Sequence, residues 1–228
     1  MGSEMCIRDR SYTELKKQAL EKYFGRMNER QKEAVFSVQG PVLVLAGAGS
    51  GKTTVIVNRI ANMINFGDAY YNNSYQGHES DCLLLENYLN GNEVSLSELR
   101  EAVAYEPIKP WNILAITFTN KAAGELKERL NAMLGEEASD IRAATFHSAC
   151  VRILRRDIER LGYQSSFTIY DSDDSQRVIK SCMTDLGISE KQLSPKAVLS
   201  EIGSAKDSLL SPEDYEENSG NDYRKTII

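Results

Sequence analysis

Apolar positions recur along this chain in two rhythms, one of helical and one of strand character. Helical spacing starts after Ser11, with Leu15, Ala19 and Leu20 on one face. A second helix is expected over 28–38, with Asn28 as its N-cap. The compact run Pro41-Val-Leu-Val-Leu-Ala46 reads as a buried strand entering a glycine-rich turn. A helix follows over 52–64, with Val55, Ile56, Ile60, Met63 and Ile64 at helical spacing. After an interruption the alternation resumes at Trp111. A strand is expected over 112–118, then a helix over 122–134 with Leu126, Leu130 and Leu134 four apart. A third strand over 141–146 runs into a basic helix over 148–161. Beyond Gly162 the pattern is mainly helical, clearest over 172–186 and 194–205, each opened by a capping residue. Strands alternating with helices, then helices alone, predict an α/β unit joined to an α-helical one.

Two stretches stand apart from this pattern. Residues 1–10 continue into nothing that follows and read as a non-native leader, outside the fold argument. Residues 67–110 are rich in Tyr, Asn, Ser and Glu and hold five of the eleven tyrosines. They read as a surface insertion with short helices over 83–89 and 95–104, and their composition suggests a disordered, acidic docking loop.

Charge changes the picture only when it is mapped. The net charge of −6 argues at first against a nucleic-acid partner. The insertion alone carries eight acidic and two basic residues, and residues 211–228 carry five and two, so the remainder is +3. The global balance is therefore a poor guide to any one surface. No apolar run reaches the eighteen or so residues of a membrane span and there is no secretory segment, so a cytoplasmic protein is expected. Cys6, Cys82, Cys150 and Cys182 are far apart, and with only His78 and His147 there is no zinc-ligand spacing.

The sharpest chemical signal is Ala46-Gly-Ala-Gly-Ser-Gly-Lys-Thr53, a Walker A phosphate loop with alanine in its first position. Gly47, Gly49 and Gly51 let the backbone turn its N–H groups inward on phosphate oxygens. The helix that follows aims its positive end at the same anion. Lys52 is suited to the β- and γ-phosphates and the Thr53 hydroxyl to Mg²⁺, which makes them the catalytic candidates. Ala46, Gly47, Ala48, Gly49, Ser50, Gly51 and Thr54 complete the expected ATP-binding set.

Three further segments narrow the field. Met27-Asn-Glu-Arg-Gln31 with Ala34-Val35 resembles the Q motif of superfamily 1A helicases. Ile116-Thr-Phe-Thr-Asn-Lys-Ala-Ala123 resembles their motif Ia nearly residue for residue, and Ala144-Thr-Phe-His-Ser148 with Cys150-Val-Arg-Ile-Leu-Arg-Arg-Asp157 resembles motif Ib and the helix leaving it. Phe167-Thr-Ile-Tyr-Asp171 and Ser194-Pro-Lys-Ala-Val-Leu199 are similar to the helical subdomain of the UvrD/PcrA/Rep group. The resemblance implies a P-loop NTPase (RecA-like) parallel sheet, incomplete, with an appended α-helical subdomain. It assigns 11–66 and 111–150 to the ATP-binding domain 1A and 151–228 to a truncated subdomain 1B. It further implies an ATP- and Mg²⁺-dependent 3′ to 5′ DNA helicase acting on single-stranded DNA and on single-strand/duplex junctions, with repair or replication proteins as partners.

The same residues can be read chemically. The Gln31 amide offers a donor and an acceptor to the N6/N7 edge of adenine, favouring ATP over GTP; otherwise it is an ordinary helix glutamine. Thr117, Phe118, Thr119, Asn120 and Lys121 lie where a strand ends and a helix begins, the edge at which α/β sheets bind ligands. Their groups suit a DNA phosphate, with Phe118 able to stack on a base; the alternative makes Phe118 core and Thr119 a simple cap. Thr145, Phe146 and His147 occupy the corresponding edge of the next strand, where the resemblance implies DNA contact. Arg152, Arg155, Arg156 and Arg160 form either a basic stripe or a solvated helix face.

Hydrolysis needs an acidic pair on Mg²⁺ and an arginine for developing charge, and neither is recognisable. Phe167–Asp171 imitates a Walker B strand, but Asp171 is followed by Ser-Asp-Asp-Ser-Gln, which reads as a helix cap with Asp173 and Gln176 in capping-box spacing. In the resembled family the acidic motif follows the helical subdomain. The chain stops at Tyr223–Ile228, within an expected helix, so it is expected to bind ATP weakly and turn it over very slowly. Another P-loop ATPase or kinase, and a non-catalytic ATP- or DNA-binding remnant, remain as alternatives.

Overall fold

The computed structural model describes residues 11–219; the leader over 1–10 and the chain end over 220–228 lie outside the described residues. The elements are α1 (Tyr12–Tyr23), α2 (Glu29–Phe36), α3 (Lys52–Asn65), α4 (Glu79–Leu89), α5 (Leu96–Val103) and β1 (Leu114–Thr117). They continue with α6 (Asn120–Leu134), β2 (Arg142–Thr145), α7 (Phe146–Asp157), α8 (Ser172–Asp185), α9 (Pro195–Asp207) and α10 (Pro212–Ser219). The described residues fall into two compact units, the first ending at Leu154 and the second beginning at Arg155.

Local chemistry sets most helix starts. Ser11 with Glu14, Asn28 with Gln31 and Ser95 with Glu98 form reciprocal capping boxes, which satisfy backbone donors that a helix cannot satisfy itself. In the first unit β1 and β2 pair in parallel, from Leu114 opposite Arg142 to Thr117 opposite Thr145. Parallel strands need a crossover, and α6 supplies it. Ala115 and Ala143 face a core with Val57, Ile60 and Ile64 of α3 and Leu126 and Leu130 of α6. The other face of β1 is open, with Leu114 and Ile116 about half exposed.

Three expectations are corrected here. Residues 41–46 form neither strand nor helix, and Leu43 and Leu45 are 84% and 88% exposed. A strand exists only through a neighbour that takes its N–H and C=O groups, and among the described residues the sheet has two strands, β1 and β2. Ile56, expected on the buried face of α3, is exposed and lines a 270 Å³ cleft with Val42 and Val44, while Val57 is buried in its place.

The third correction concerns 67–110, which is a folded excursion. Cys82 and Leu85 of α4 and Leu99, Ala102 and Val103 of α5 are buried with Tyr12, Leu15, Ala19 and Leu20 of α1. The Tyr12 hydroxyl donates to Ala102 O at 2.7 Å, and the Lys22 ammonium donates to Tyr88 O at 2.6 Å. The base of the excursion is closed by Asp68 N–H to Tyr105 O and Tyr105 N–H to Phe66 O, both 2.9 Å. Gly67 sits there at φ +63°, where a Cβ would strike Tyr105 O at 2.0 Å. Its acidic groups cover the outside of a module whose apolar positions are spent on α1.

The second unit is helical. Met183, Leu193 and Val198 are buried together between α8 and α9. Asp171 is the N-cap of α8, accepting from the N–H groups of Asp173 and Asp174 at 2.8 Å each. The capping box pairs Asp171 with Asp174, not Asp173 with Gln176.

Candidate functional site

The loop over 46–51 carries the backbone that its glycines permit. Gly49 and Gly51 have φ of +76° and +81°, left-handed values that a side chain would resist. A Cβ added at Gly47 or Gly49 would meet nothing within 4 Å, whereas one at Gly51 would lie 2.9 Å from the Gln31 amide nitrogen. The loop is therefore open over its first glycines and closely flanked at its last. α3 starts directly on Gly51 with no side-chain cap, so its first N–H groups and the positive end of its dipole are left for an anion. Such a cradle fits a polyphosphate.

Lys52 opens α3 and is exposed; its ammonium donates to Gly47 O at 2.6 Å and Ala46 O at 3.3 Å. The Ser50 hydroxyl donates to Gly47 O at 2.8 Å. Thr53 is half-buried one residue further along, and Thr54 and Ala48 are exposed. Among the described residues there is no cluster of three or more His, Cys, Asp or Glu that could hold a metal ion.

Gln31 is fixed at both ends of its amide. Its oxygen accepts from Asn28 N–H at 3.1 Å as the N3 member of the α2 capping box. Its nitrogen donates to Ser50 O at 3.1 Å, which ties α2 to the phosphate loop. Sequence reading singled out the amide but missed both bonds; Asn28 three residues before Gln31 was the available signal. Two residues of α3 were also missed. The Arg59 guanidinium donates to Ala34 O, and the Asn62 amide to Val35 O at 3.3 Å, so α3 holds the C-terminal carbonyls of α2. Burial holds the Arg59 guanidinium below its ordinary value.

The β1–β2 register brings the other candidates to one edge, because Thr117 and Thr145 share the last rung. After β1, Phe118 is 100% exposed, and Asn120 and Lys121 begin α6 in solvent. The hydroxyls here shape the turn. Thr117 donates to Thr119 O at 3.1 Å, and Thr119 caps α6 by accepting from Ala122 N–H at 3.1 Å. After β2 there is no intervening loop, since α7 starts at Phe146, two residues before its expected start. Thr145 is buried, its hydroxyl 2.8 Å from that of Ser148. Phe146 is 55% exposed and His147 is exposed, their rings edge to face at 6.1 Å. The surface groups at this edge are thus Phe118, Asn120, Lys121, Phe146 and His147, while the three threonines hold the turns that present them.

Of the candidate basic stripe, Arg152 and Arg160 are exposed, and Arg156 is paired with Asp157 at 2.7 Å. Arg155 in the second unit lies 4.2 Å over the Phe167 ring. No helix among the described residues is long and apolar enough to cross a membrane.

Comparison with known proteins matches the sequence of this chain to a family. The family model described as UvrD/REP helicase N-terminal domain matches residues 27–73 and 96–228. The chain is 39% identical over 201 residues to the ATP-dependent DNA helicase PcrA of Bacillus subtilis, covering 88% of this chain and 22% of that protein. It is 38% identical over 202 residues to the ATP-dependent DNA helicase PcrA of Staphylococcus epidermidis, covering 89% and 22%. The Leuconostoc citreum protein of the same description is 37% identical over 202 residues, covering 88% and 22%. The chain thus spans about a fifth of the length of these curated relatives.

Proposed function

The chain belongs to the UvrD/REP helicase N-terminal domain family, and from that premise we propose that it is the ATP- and single-stranded-DNA-binding front part of a 3′ to 5′ DNA helicase motor. The observation that carries the nucleotide half is the uncapped α3 N-terminus behind an open glycine loop, with Lys52 at its first position. ATP phosphates take the N–H groups of 47–53 and displace the Lys52 ammonium from Gly47 O and Ala46 O onto the β- and γ-phosphates. Thr53 would hold the Mg²⁺ that accompanies ATP through its hydroxyl, and the ion would supply neutralisation of phosphate charge. Gln31 exchanges its bonds to Asn28 N–H and Ser50 O for the adenine edge. The glycine loop before α3 and the parallel β1–α6–β2 unit support reading the fold as a RecA-like P-loop NTPase.

The DNA half rests on the exposed edge after β1 and β2. Phe118 offers a ring to a base, Lys121 and the N-terminal end of α6 offer charge to a phosphate, and Phe146 and His147 extend the same surface. Nucleotide turnover belongs to the whole motor. Phosphoryl transfer needs carboxylates on the metal and an arginine for developing charge, neither recognisable in this sequence, and on this reading the 228-residue chain alone binds ATP weakly and turns it over very slowly.

Titration of a fluorescent ATP analogue with Mg²⁺ tests the nucleotide half. Saturable binding to the wild type, weakened at least tenfold in Lys52→Ala with an unchanged circular dichroism spectrum, supports it. Equal binding by both proteins contradicts it.

A further inference from the structure

Gln31 is the one expected nucleotide contact that stands on α2, and α2 has eight residues. A helix that short does not hold itself in water, so its position is set by what it touches. On one side are the Arg59 and Asn62 bonds from α3. On the other side Phe36, the last residue of α2, lies flat on Tyr70, with centroids 4.0 Å and planes 3° apart. Tyr70 belongs to the excursion, two residues beyond its closed base at Asp68. Its hydroxyl donates to the Glu21 carboxylate of α1 at 2.6 Å, and the Lys17 ammonium lies 5.8 Å from its ring centroid.

The layer behind Tyr70 lies largely outside the matched family ranges. α1 precedes residue 27, and α4 falls within the unmatched 74–95, yet these two helices bury their apolar faces against one another. Residues of α1, α2 and α4 thus share one buried cluster, with Tyr70 packed against it.

We propose that Tyr70 is a positioning residue for nucleotide selection: by stacking on Phe36 and bonding to Glu21 it fixes α2, so that the module of α1 and the excursion sets how strongly the site prefers adenine over guanine nucleotides. The inference rests on the adenine reading of Gln31. A hydrogen bond to a base edge weakens steeply with distance and angle, so a small shift of α2 is felt in base discrimination. The phosphate grip comes from the backbone of 47–53 and from Lys52 at the start of α3, so a shift of α2 bears first on the base edge.

The test measures displacement of a fluorescent ATP analogue from the 228-residue chain by ATP, by GTP and by inorganic tripolyphosphate. The proteins are wild type, Gln31→Ala, Tyr70→Leu, Tyr70→Phe and Glu21→Ala, each with a thermal melt. Expected is a wild-type preference for ATP that Gln31→Ala abolishes and that Tyr70→Leu lowers about tenfold, an effect of one hydrogen bond's size. Tyr70→Phe keeps the stack and loses the Glu21 bond, so it falls between, together with Glu21→Ala. Tripolyphosphate affinity stays constant throughout. The inference is overturned if folded Tyr70→Leu keeps the wild-type ratio while Gln31→Ala loses it, or if tripolyphosphate affinity falls in step. Should Tyr70→Leu not fold, wild-type ratios in both Tyr70→Phe and Glu21→Ala overturn it equally. An unchanged ratio in Gln31→Ala instead removes the adenine reading itself.

Discussion

Thr117 and Thr145 face each other across the last rung of the parallel β1–β2 ladder. Because the strands run the same way and end together, the residues that follow them emerge at one edge of the sheet. Neither threonine side chain is free there: Thr117 donates to Thr119 O, and Thr145 is buried against Ser148. Their contribution is geometric, and the groups they present are Phe118, Asn120, Lys121, Phe146 and His147.

Phe118→Ala and Thr119→Ala are expected to separate presentation from contact. Phe118 is fully exposed, so its loss leaves the melting temperature unchanged and weakens single-stranded DNA binding by about 1–3 kcal/mol, the value of a base–aromatic stack. Thr119 caps α6, so its loss lowers stability by about 0.5–2 kcal/mol as well. Paired thermal melts and DNA titrations check both; a destabilised Phe118→Ala would mean that the ring is core in solution.

Core and surface leucines should part company. Leu130 is 1% exposed between α3, α6 and the sheet, and Leu130→Ala is expected to cost about 2–5 kcal/mol in denaturant unfolding. Leu45 is 88% exposed, and Leu45→Ala is expected to change stability by no more than about 0.5 kcal/mol.

Acid should loosen the excursion through Glu98. The Ser95 hydroxyl and backbone N–H both bond its carboxylate and hold it below the usual carboxylate range. A carboxyl depressed on folding stabilises the fold above its unfolded pKa, and that stabilisation is lost as pH falls through the folded value. Ser95→Ala is therefore expected to be less stable at neutral pH and to lose less on acidification, read from melts across the acid range. An identical acid slope in both proteins would exclude the Ser95–Glu98 contribution.

Much of this was legible in the chain. The loop around Lys52, the cap at Asn28 and the β1–α6–β2 unit are features of contiguous segments of the chain. What was not legible depends on distant partners. Residues 41–46 have the composition of a buried strand, but a strand is a relation between segments, and the described residues give this one no neighbour. The excursion looked solvated because acidic groups dominate its count. Its buried apolar positions, among them Cys82, Leu85, Leu99 and Val103, gain meaning only when α1 is known to lie against them. Gln31 was recognised by its motif, while its bond to Ser50 O, nineteen residues away in sequence, was not.

On the proposed reading, one chain couples the Lys52 loop to a single-stranded DNA edge. Fluorescence anisotropy of a labelled oligonucleotide tests it most directly, at two salt concentrations, with and without a non-hydrolysable ATP analogue and Mg²⁺, for wild type and Lys52→Ala. Expected is binding that weakens with salt through phosphate contacts and responds to the analogue only when Lys52 is present. A folded wild-type chain that binds the analogue and ignores the oligonucleotide at both salt concentrations would contradict it.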